Sequence, residues 1–190
     1  MAEQNSLAGV RIACLSTNGF EWAELADPKK AFEQSGATVD VIAPDSGEIY
    51  GMKHHDKAGT VKVDRTLDDA DPDDYDAVLL PGGALNADSL RAVPAAQKFV
   101  ETAETSGKPI AVICHGGWLL VSAGLVSGHT LTSWPTIQDD IKNAGGNWVN
   151  EEVHVDGRWI SSRKPDDIPA FIREATRIFA QSRQSGTKAA

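Results

Sequence analysis

Four short apolar segments constrain the fold of this chain more than any other feature of its sequence. They lie at residues 10–15, Thr38–Ala43, Ala77–Leu80 and Ile110–Ile113, and each is nearly continuously apolar rather than alternating. Stretches with helical spacing separate them. Strands that are apolar on both faces and alternate with helices predict a mostly parallel central sheet with helices on both faces. The expected fold class is therefore α/β.

The other elements follow from periodicity and turn residues. Helices are predicted at 21–34, 88–106, 137–144 and 166–179. Pro28 is expected to kink the first helix or to mark a boundary inside it. Residues 49–63 indicate short antiparallel or irregular pieces, and Asp156-Gly157 predicts a hairpin over 153–160. At 190 residues the chain is expected to form one domain, 1–190, with residues 181–190 as a flexible tail.

The strand at Ile110–Ile113 ends in Cys114, His115 and two glycines, and an apolar stretch begins at Trp118. This pattern predicts a strand, a tight turn and a helix, the cysteine counterpart of a serine nucleophile elbow. A thiol at a helix start faces unpaired N–H groups and the positive end of the dipole, which favour the nucleophilic thiolate. The glycines fit a turn that leaves no room for a Cβ atom.

The carboxyl ends of parallel strands meet at one edge of a sheet, where ligands bind in such folds. Three segments are predicted to end there: residues 17–21, Pro81-Gly82-Gly83, and Cys114-His115. Residues far apart in sequence are therefore expected to converge around Cys114.

Composition and residue spacing exclude several classes of function. A net charge of −9 argues against non-specific binding to nucleic acid or to anionic membranes. No apolar stretch approaches the roughly 20 residues of a membrane span, and residues 1–8 do not resemble a secretory signal. Two cysteines make no disulfide framework, so free thiols in the cytoplasm are expected. The histidines show no metal-ligand spacing and no nucleotide-binding motif is present, so neither a metal nor another cofactor is predicted.

Five motifs, taken together, carry a family resemblance. They are Asn18-Gly-Phe-Glu-Trp-Ala-Glu-Leu25, Ala77-Val-Leu-Leu-Pro-Gly-Gly83, Ile113-Cys-His-Gly116, Thr132-Ser-Trp-Pro135, and the stretch 156–167. With them the chain resembles the PfpI family of the DJ-one, class I glutamine amidotransferase-like superfamily. The resemblance implies a flavodoxin-like three-layer α/β sandwich that needs no cofactor and assembles as a homodimer or larger homo-oligomer.

The resemblance also implies roles for particular residues. Cys114 would be the nucleophile, Glu21 would lie beside it, and His115 would follow it in sequence. Glu21 is alternatively a first-turn carboxylate that complements the helix dipole. His115 would act either as the general base or only through its backbone N–H. The backbone around Gly82, Gly83 and His115 would bind an oxyanion, although the two glycines also suit a plain turn.

An acid from the neighbouring subunit orients the histidine in peptidase-type members of this family. It lies shortly after the Pro-Gly-Gly turn, where this chain has Ala87 followed by Asp88. Asp88 is therefore the candidate acid, and it is alternatively the N-cap of a helix that begins at Ser89.

The resemblance leaves three functions open. The leading expectation is a stress-response enzyme with cofactor-independent glyoxalase or deglycase chemistry on reactive carbonyls. The first alternative is an intracellular cysteine peptidase acting on peptides. The second is a non-catalytic redox-responsive protein that works through oxidation of Cys114.

Overall fold

The computed structural model of the protein describes residues 6–186, with side-chain surroundings as far as residue 182. The strands are β1 (Arg11–Leu15), β2 (Phe20–Glu21), β3 (Thr38–Ala43), β4 (Glu48–Lys53), β5 (Asp56–Lys62), β6 (Arg65–Thr66), β7 (Ala77–Leu80), β8 (Ile110–Ile113), β9 (Thr130–Leu131), β10 (Asn147–Trp148), β11 (Val153–Asp156) and β12 (Trp159–Ser162). The helices are α1 (Trp22–Gln34), α2 (Ala84–Arg91), α3 (Pro94–Thr105), α4 (Gly117–Ser122), α5 (Gln138–Asn143) and α6 (Ile168–Gly186).

The central sheet has seven strands in the order β11-β12-β8-β7-β1-β3-β6. Every neighbouring pair is parallel except β11 and β12, which form an antiparallel hairpin at one edge. The strands β1, β7 and β8 lie side by side, so their carboxyl ends reach the same edge of the sheet. This arrangement confirms the mostly parallel sheet expected from the four apolar segments.

Helices cover both faces of the sheet, because its middle strands bury side chains in both directions. Ile12 and Cys14 of β1 belong to one core cluster, whereas Ala13 and Leu15 belong to the other. Helices α1 and α6 pack together over the first face, and α2 to α5 cover the second. The result is the three-layer flavodoxin-like sandwich that the resemblance implied.

Most strands fall where the sequence predicted them. The hairpin over 153–160 is confirmed, and the antiparallel pieces expected at 49–63 are the paired strands β4 and β5. The prediction of one helix over 88–106 is wrong, because the structure has two helices there and the first begins before residue 88. The first helix begins at Ala84, directly after the Gly83 turn, and the second begins at Pro94. Helix α1 continues through Pro28 with no boundary.

The tail predicted from residue 181 is helical as far as Gly186, where α6 ends. Residues 187–190 lie outside the described residues. Among the described helices, none combines the length and the apolar character needed to cross a lipid bilayer.

Candidate active site

Cys114 follows β8 in a short 3₁₀ turn, Cys114–Gly116, that leads into α4. Its φ angle is +62°, a left-handed conformation that L-residues adopt at a cost of about 1–2 kcal/mol. Gly116 makes this turn possible, because a Cβ there would come within 2.6 Å of the Leu80 carbonyl oxygen and 3.0 Å of that of Pro81. The elbow predicted from the sequence is therefore present, with strain stored at the thiol-bearing residue.

His115 turns back towards the thiol, although neighbouring side chains on a turn usually diverge. Its Nδ1 atom lies 3.2 Å from Cys114 Sγ. The ring is held by Trp134, stacked at 6.0 Å between centroids, and by Trp118, which meets it edge-on at 5.3 Å. Burial lowers the pKa of His115, so the imidazole is neutral at neutral pH and able to accept a proton.

The carboxyl group against the thiol belongs to Glu24, which corrects the expectation for Glu21. Glu24 is fully buried on α1, interacts with the Cys114 thiol, and accepts a 3.0 Å hydrogen bond at Oε2 from the Gly82 N–H. Glu21 lines the same pocket, but its Oε2 accepts a hydrogen bond from the His54 backbone N–H at 3.3 Å. The two carboxylates are three residues apart, so they lie about one helical turn from each other.

Burial controls the protonation of Glu24 and Cys114. It raises the pKa of Glu24 to about 8, with a smaller contribution from the charge of Glu21. The pKa of Cys114 is raised well above its usual range, first by burial and then by Glu24. Burial and Glu24 thus oppose the thiolate that the helix start is expected to favour. These directions favour a thiol, a protonated Glu24 and a neutral His115 in the resting site.

Two backbone N–H groups face the Cys114 sulfur and partly offset the rise in its pKa. The N–H groups of Gly83 and His115 interact with Cys114 and lower its pKa. The N–H of Gly82 is already used by Glu24, so it is not free for an oxyanion. Gly83 has φ +89°, and a Cβ there would come within 2.5 Å of the Gly19 carbonyl oxygen. The turn therefore requires glycine at this position for both conformation and space.

A cavity of about 830 Å³ opens above the thiol. Its floor holds Cys114 and Glu24, and its wall includes Leu85, whose side chain is 58% exposed. The residues lining it are Gly19, Glu21, Glu24, Met52, His54, His55, Gly83, Ala84, Leu85, Cys114, His115, Trp134, Lys164, Pro165 and Asp166. Both non-glycine residues with positive φ among those described, His54 and Cys114, are in this set. Strained backbone thus concentrates at this cavity, as it does at functional sites.

The structure does not bring Asp88 into the cavity. Asp88 is exposed in the middle of α2, so it is not an N-cap, and Ala87 is buried. Within the described part of this chain, His115 has no carboxylate partner. A contribution of Asp88 across a subunit boundary stays a prediction. Within residues 6–186, no group of three His, Cys, Asp or Glu side chains is arranged to hold a metal ion.

Comparison with known proteins identifies the family. The family model described as DJ-1/PfpI family matches residues 10–178. The chain belongs to the DJ-1/PfpI family. Deglycase TK1284 of Thermococcus kodakarensis is 41% identical over 176 residues, which are 90% of this chain and 99% of that protein. General stress protein 18 of Bacillus subtilis is 39% identical over 172 residues, 90% of this chain and 98% of that protein.

Solved structures of DJ-1/PfpI members share the fold. The ThiJ/PfpI domain protein from Brachyspira murdochii superposes with a TM-score of 0.84 at 20% identity, covering 92% of this chain and 98% of that one. At this identity the likeness concerns the fold alone. The sequence resemblance to the PfpI family and the α/β sandwich are both confirmed.

Sequence reasoning missed Glu24, because helical phase does not separate it from Glu21. The buried residues of α1 are Glu24, Leu25, Pro28 and Phe32. With about 3.6 residues per turn, Glu21 falls on the line of Leu25, Pro28 and Phe32 at least as well as Glu24 does. What separates the two is that Glu21 belongs to β2, directly before the helix, a boundary that the sequence does not mark.

Proposed function

We propose that this protein is a cysteine-dependent deglycase of the stress response, which removes small dicarbonyl adducts from amino groups and releases a hydroxy acid. The observation that carries the proposal is the Cys114 thiol on its strained turn, with a neutral imidazole nitrogen 3.2 Å away and a buried, protonated Glu24 against it. The names of two similar proteins, a deglycase and a general stress protein, support it.

The chemistry follows from these protonation states. His115 accepts the thiol proton as Cys114 attacks the carbinol carbon of a methylglyoxal adduct, and it returns that proton to the departing amine. The resulting hemithioacetal rearranges through an enediol to a thioester. His115, neutral again, takes the proton from the sulfur-bearing carbon while protonated Glu24 donates to the ketone oxygen. The proton on His115 then passes to the second carbon, and the first hydroxyl group returns a proton to Glu24. The N–H groups of Gly83 and His115 hold the oxygen. Water then hydrolyses the thioester to lactate and restores the thiol, so the adduct plus one water gives an amine and lactate with no external redox reagent.

The size of the cavity favours an adduct over the free dicarbonyl. A volume of about 830 Å³ lies in the range of sites for drug-sized ligands, far larger than methylglyoxal requires. A side chain or short peptide that carries the adduct fits beside Leu85, which is exposed at the mouth. This argument ranks deglycase above glyoxalase activity.

The two alternatives lose support from the same residues. A peptidase needs an acid to orient His115, and no described carboxylate of the same chain pairs with it, so a neighbouring subunit would have to supply the acid. A redox sensor needs a thiol with a low pKa, whereas burial raises that of Cys114. Cytoplasmic location, a homodimer or larger assembly, and the absence of nucleic acid and membrane partners remain part of the proposal, supported by the charge of −9 and two buried free cysteines.

The test follows an adduct of methylglyoxal with N-acetyl-lysine or a short peptide, measuring free amine and lactate together. Wild type is compared with Cys114→Ser, and Cys14→Ala serves as the control because it removes the other buried thiol, on β1. We expect equal amounts of amine and lactate from wild type and C14A, and none from C114S. The rate should exceed that obtained with free methylglyoxal at the concentration in equilibrium with the adduct. A rate that follows only free methylglyoxal would make the enzyme a glyoxalase, and undiminished C114S activity would refute the site.

A further inference from the structure

We propose that Asn86 is a positioning residue for Cys114: its side-chain amide aims the Gly83 N–H at the reacting atoms. The expected effect of Asn86 on turnover rests on the proposed function. Its effect on the reactivity of the Cys114 thiol does not, and can be measured separately.

Asn86 is a buried polar residue whose hydrogen-bonding groups are all engaged. It is 1% exposed and lies in the first turn of α2. Its Oδ1 accepts from the Thr17 N–H at 2.7 Å and from Ser16 Oγ at 3.3 Å. Its Nδ2 donates to the carbonyl oxygens of Pro81 at 3.1 Å and Gly82 at 3.0 Å. One amide thus joins the carboxyl end of β1 to the turn that follows β7.

The hydrogen bonds from Asn86 to two carbonyl oxygens fix two consecutive peptide planes. The Gly82 C=O and the Gly83 N–H belong to one planar trans peptide unit, so holding the oxygen sets the direction of the N–H. That N–H faces Cys114 Sγ. The Pro81 C=O and the Gly82 N–H form the preceding unit, and its N–H donates to Glu24 Oε2 at 3.0 Å. Asn86 therefore holds the backbone segment whose N–H groups contact the thiol and the buried carboxyl group.

The turn needs such an anchor because of its glycines. Glycine has more backbone freedom than any other residue, and Gly82 and Gly83 are consecutive. Side chains at these positions are excluded, since a Cβ on Gly82 would collide with the Glu24 carboxyl and with Cys114 Cβ. The geometry that the site requires is thus held by contacts from outside the turn. The Glu21 N–H donates to the Gly82 oxygen at 3.3 Å, and Asn86 adds a shorter hydrogen bond to the same oxygen.

The decisive variants separate the two ends of the amide. Asn86→Asp keeps the acceptor for Thr17 and Ser16 and loses both donors to the turn. Asn86→Ala is uncharged and carries no hydrogen-bonding group, so a change shared with N86D comes from loss of the donors and not from the new charge. The matched control is Ser16→Ala, which removes one hydrogen bond at the other end of Asn86. All variants carry C14A, so that Cys114 is the single thiol.

The first readout is the rate of Cys114 alkylation by iodoacetamide as a function of pH, and the second is kcat and KM on the peptide adduct. We expect N86D and N86A to lower the alkylation rate at each pH and to lower kcat roughly ten- to a hundredfold, a fraction of what loss of an oxyanion donor causes. KM should change less than threefold, and S16A should match the C14A parent in both readouts.

Two results would overturn the role of Asn86. One is a folded N86D or N86A protein with the parent alkylation profile, whether or not kcat falls. The other is an S16A protein that changes as much as the Asn86 variants, which would make Asn86 a structural clamp only. If N86D does not fold, N86A decides. An absence of turnover by the parent protein would refute the deglycase proposal, while the alkylation profiles would still decide the role of Asn86.

Discussion

Glu24 places an ionisable group where α1 otherwise packs apolar side chains against the sheet. One oxygen of its carboxyl is paired with the Gly82 N–H, and Oε1 has no hydrogen-bond partner among the described residues. Such a group is costly unless it stays protonated, and burial raises its pKa to about 8 for this reason. Glu24 is one of the residues that line the cavity, so its carboxyl group lies beside the proposed substrate site.

The pH dependence of turnover should report this group. Because the proposed proton shuttle needs protonated Glu24, kcat/KM should fall as the pH rises through about 8. Glu24→Gln should lower kcat at pH 7 by about a hundredfold or more, and its residual activity should lose the alkaline fall. Initial rates from pH 5 to 10 measure both effects.

Glu21→Gln is the matched comparison, since Glu21 is the other carboxylate in the cavity. We expect it to keep the fall near pH 8 and to lose less than tenfold in kcat, because its carboxylate meets the His54 backbone rather than the thiol. A larger loss in E21Q than in E24Q would reinstate Glu21 as the acting carboxyl group.

Elements far from the thiol are joined by a cluster around His129, which precedes β9. The ring stacks on Trp159 of β12 with centroids 4.0 Å apart, and its Nδ1 lies 3.1 Å from Asp156 Oδ2 on β11. Trp159 Nε1 donates to Glu104 of α3 at 2.6 Å. The Thr130 N–H donates to Asp156 at 2.9 Å. This cluster connects the antiparallel edge hairpin to helix α3 and to β9, which pairs with β10 outside the central sheet.

Asp156→Asn should weaken this junction in a pH-dependent way. The Thr130 N–H and then His129 lower the pKa of Asp156, so its stabilising effect is present at neutral pH and disappears as the pH falls through that lowered pKa. We expect a melting temperature about 2–4 °C below wild type at pH 7, with the gap closing in acid. Asp68→Asn, at an exposed position, should match wild type throughout. A gap that is constant with pH would contradict the ionic explanation.

Local sequence predicts some elements of this fold better than others. Strands β7 and β8 could be predicted because they are buried and apolar at every position, and β1 and β3 because most of their positions are. The start of α2 could not be predicted, because Ala84 follows a glycine turn without a side-chain cap. The contacts of Asn86 and His129 join residues 4 to 70 positions apart, and the apolar patterns used to predict the strands and helices do not encode them.

The whole molecule combines an ordinary α/β scaffold with a site that works against its stability. Two core clusters pack on the two faces of the sheet, and the positions of Cys114 and His115 follow from the order of its strands. The carboxyl group that meets the thiol depends on how α1 is rotated about its own axis relative to the sheet. The residue at which the helix begins does not by itself determine that rotation. Left-handed Cys114 and buried Glu24 both cost folding free energy, and the packed sheet compensates for them.

Global stability should therefore respond to pH through Glu24. Its pKa is raised above the value of the unfolded chain, so the folded state binds more protons, and the free energy of unfolding falls as the pH rises from about 4.5 to about 8. One pKa unit corresponds to about 1.4 kcal/mol, so Glu24→Gln should be more stable than wild type by on the order of 3 kcal/mol at pH 9 and nearly equal at pH 5. Urea unfolding at pH 5, 7 and 9 measures this difference, with Glu21→Gln as the control that should follow wild type. Parallel curves for E24Q and wild type would show that Glu24 is ionised in the folded protein, and would remove the proton donor from the proposed mechanism.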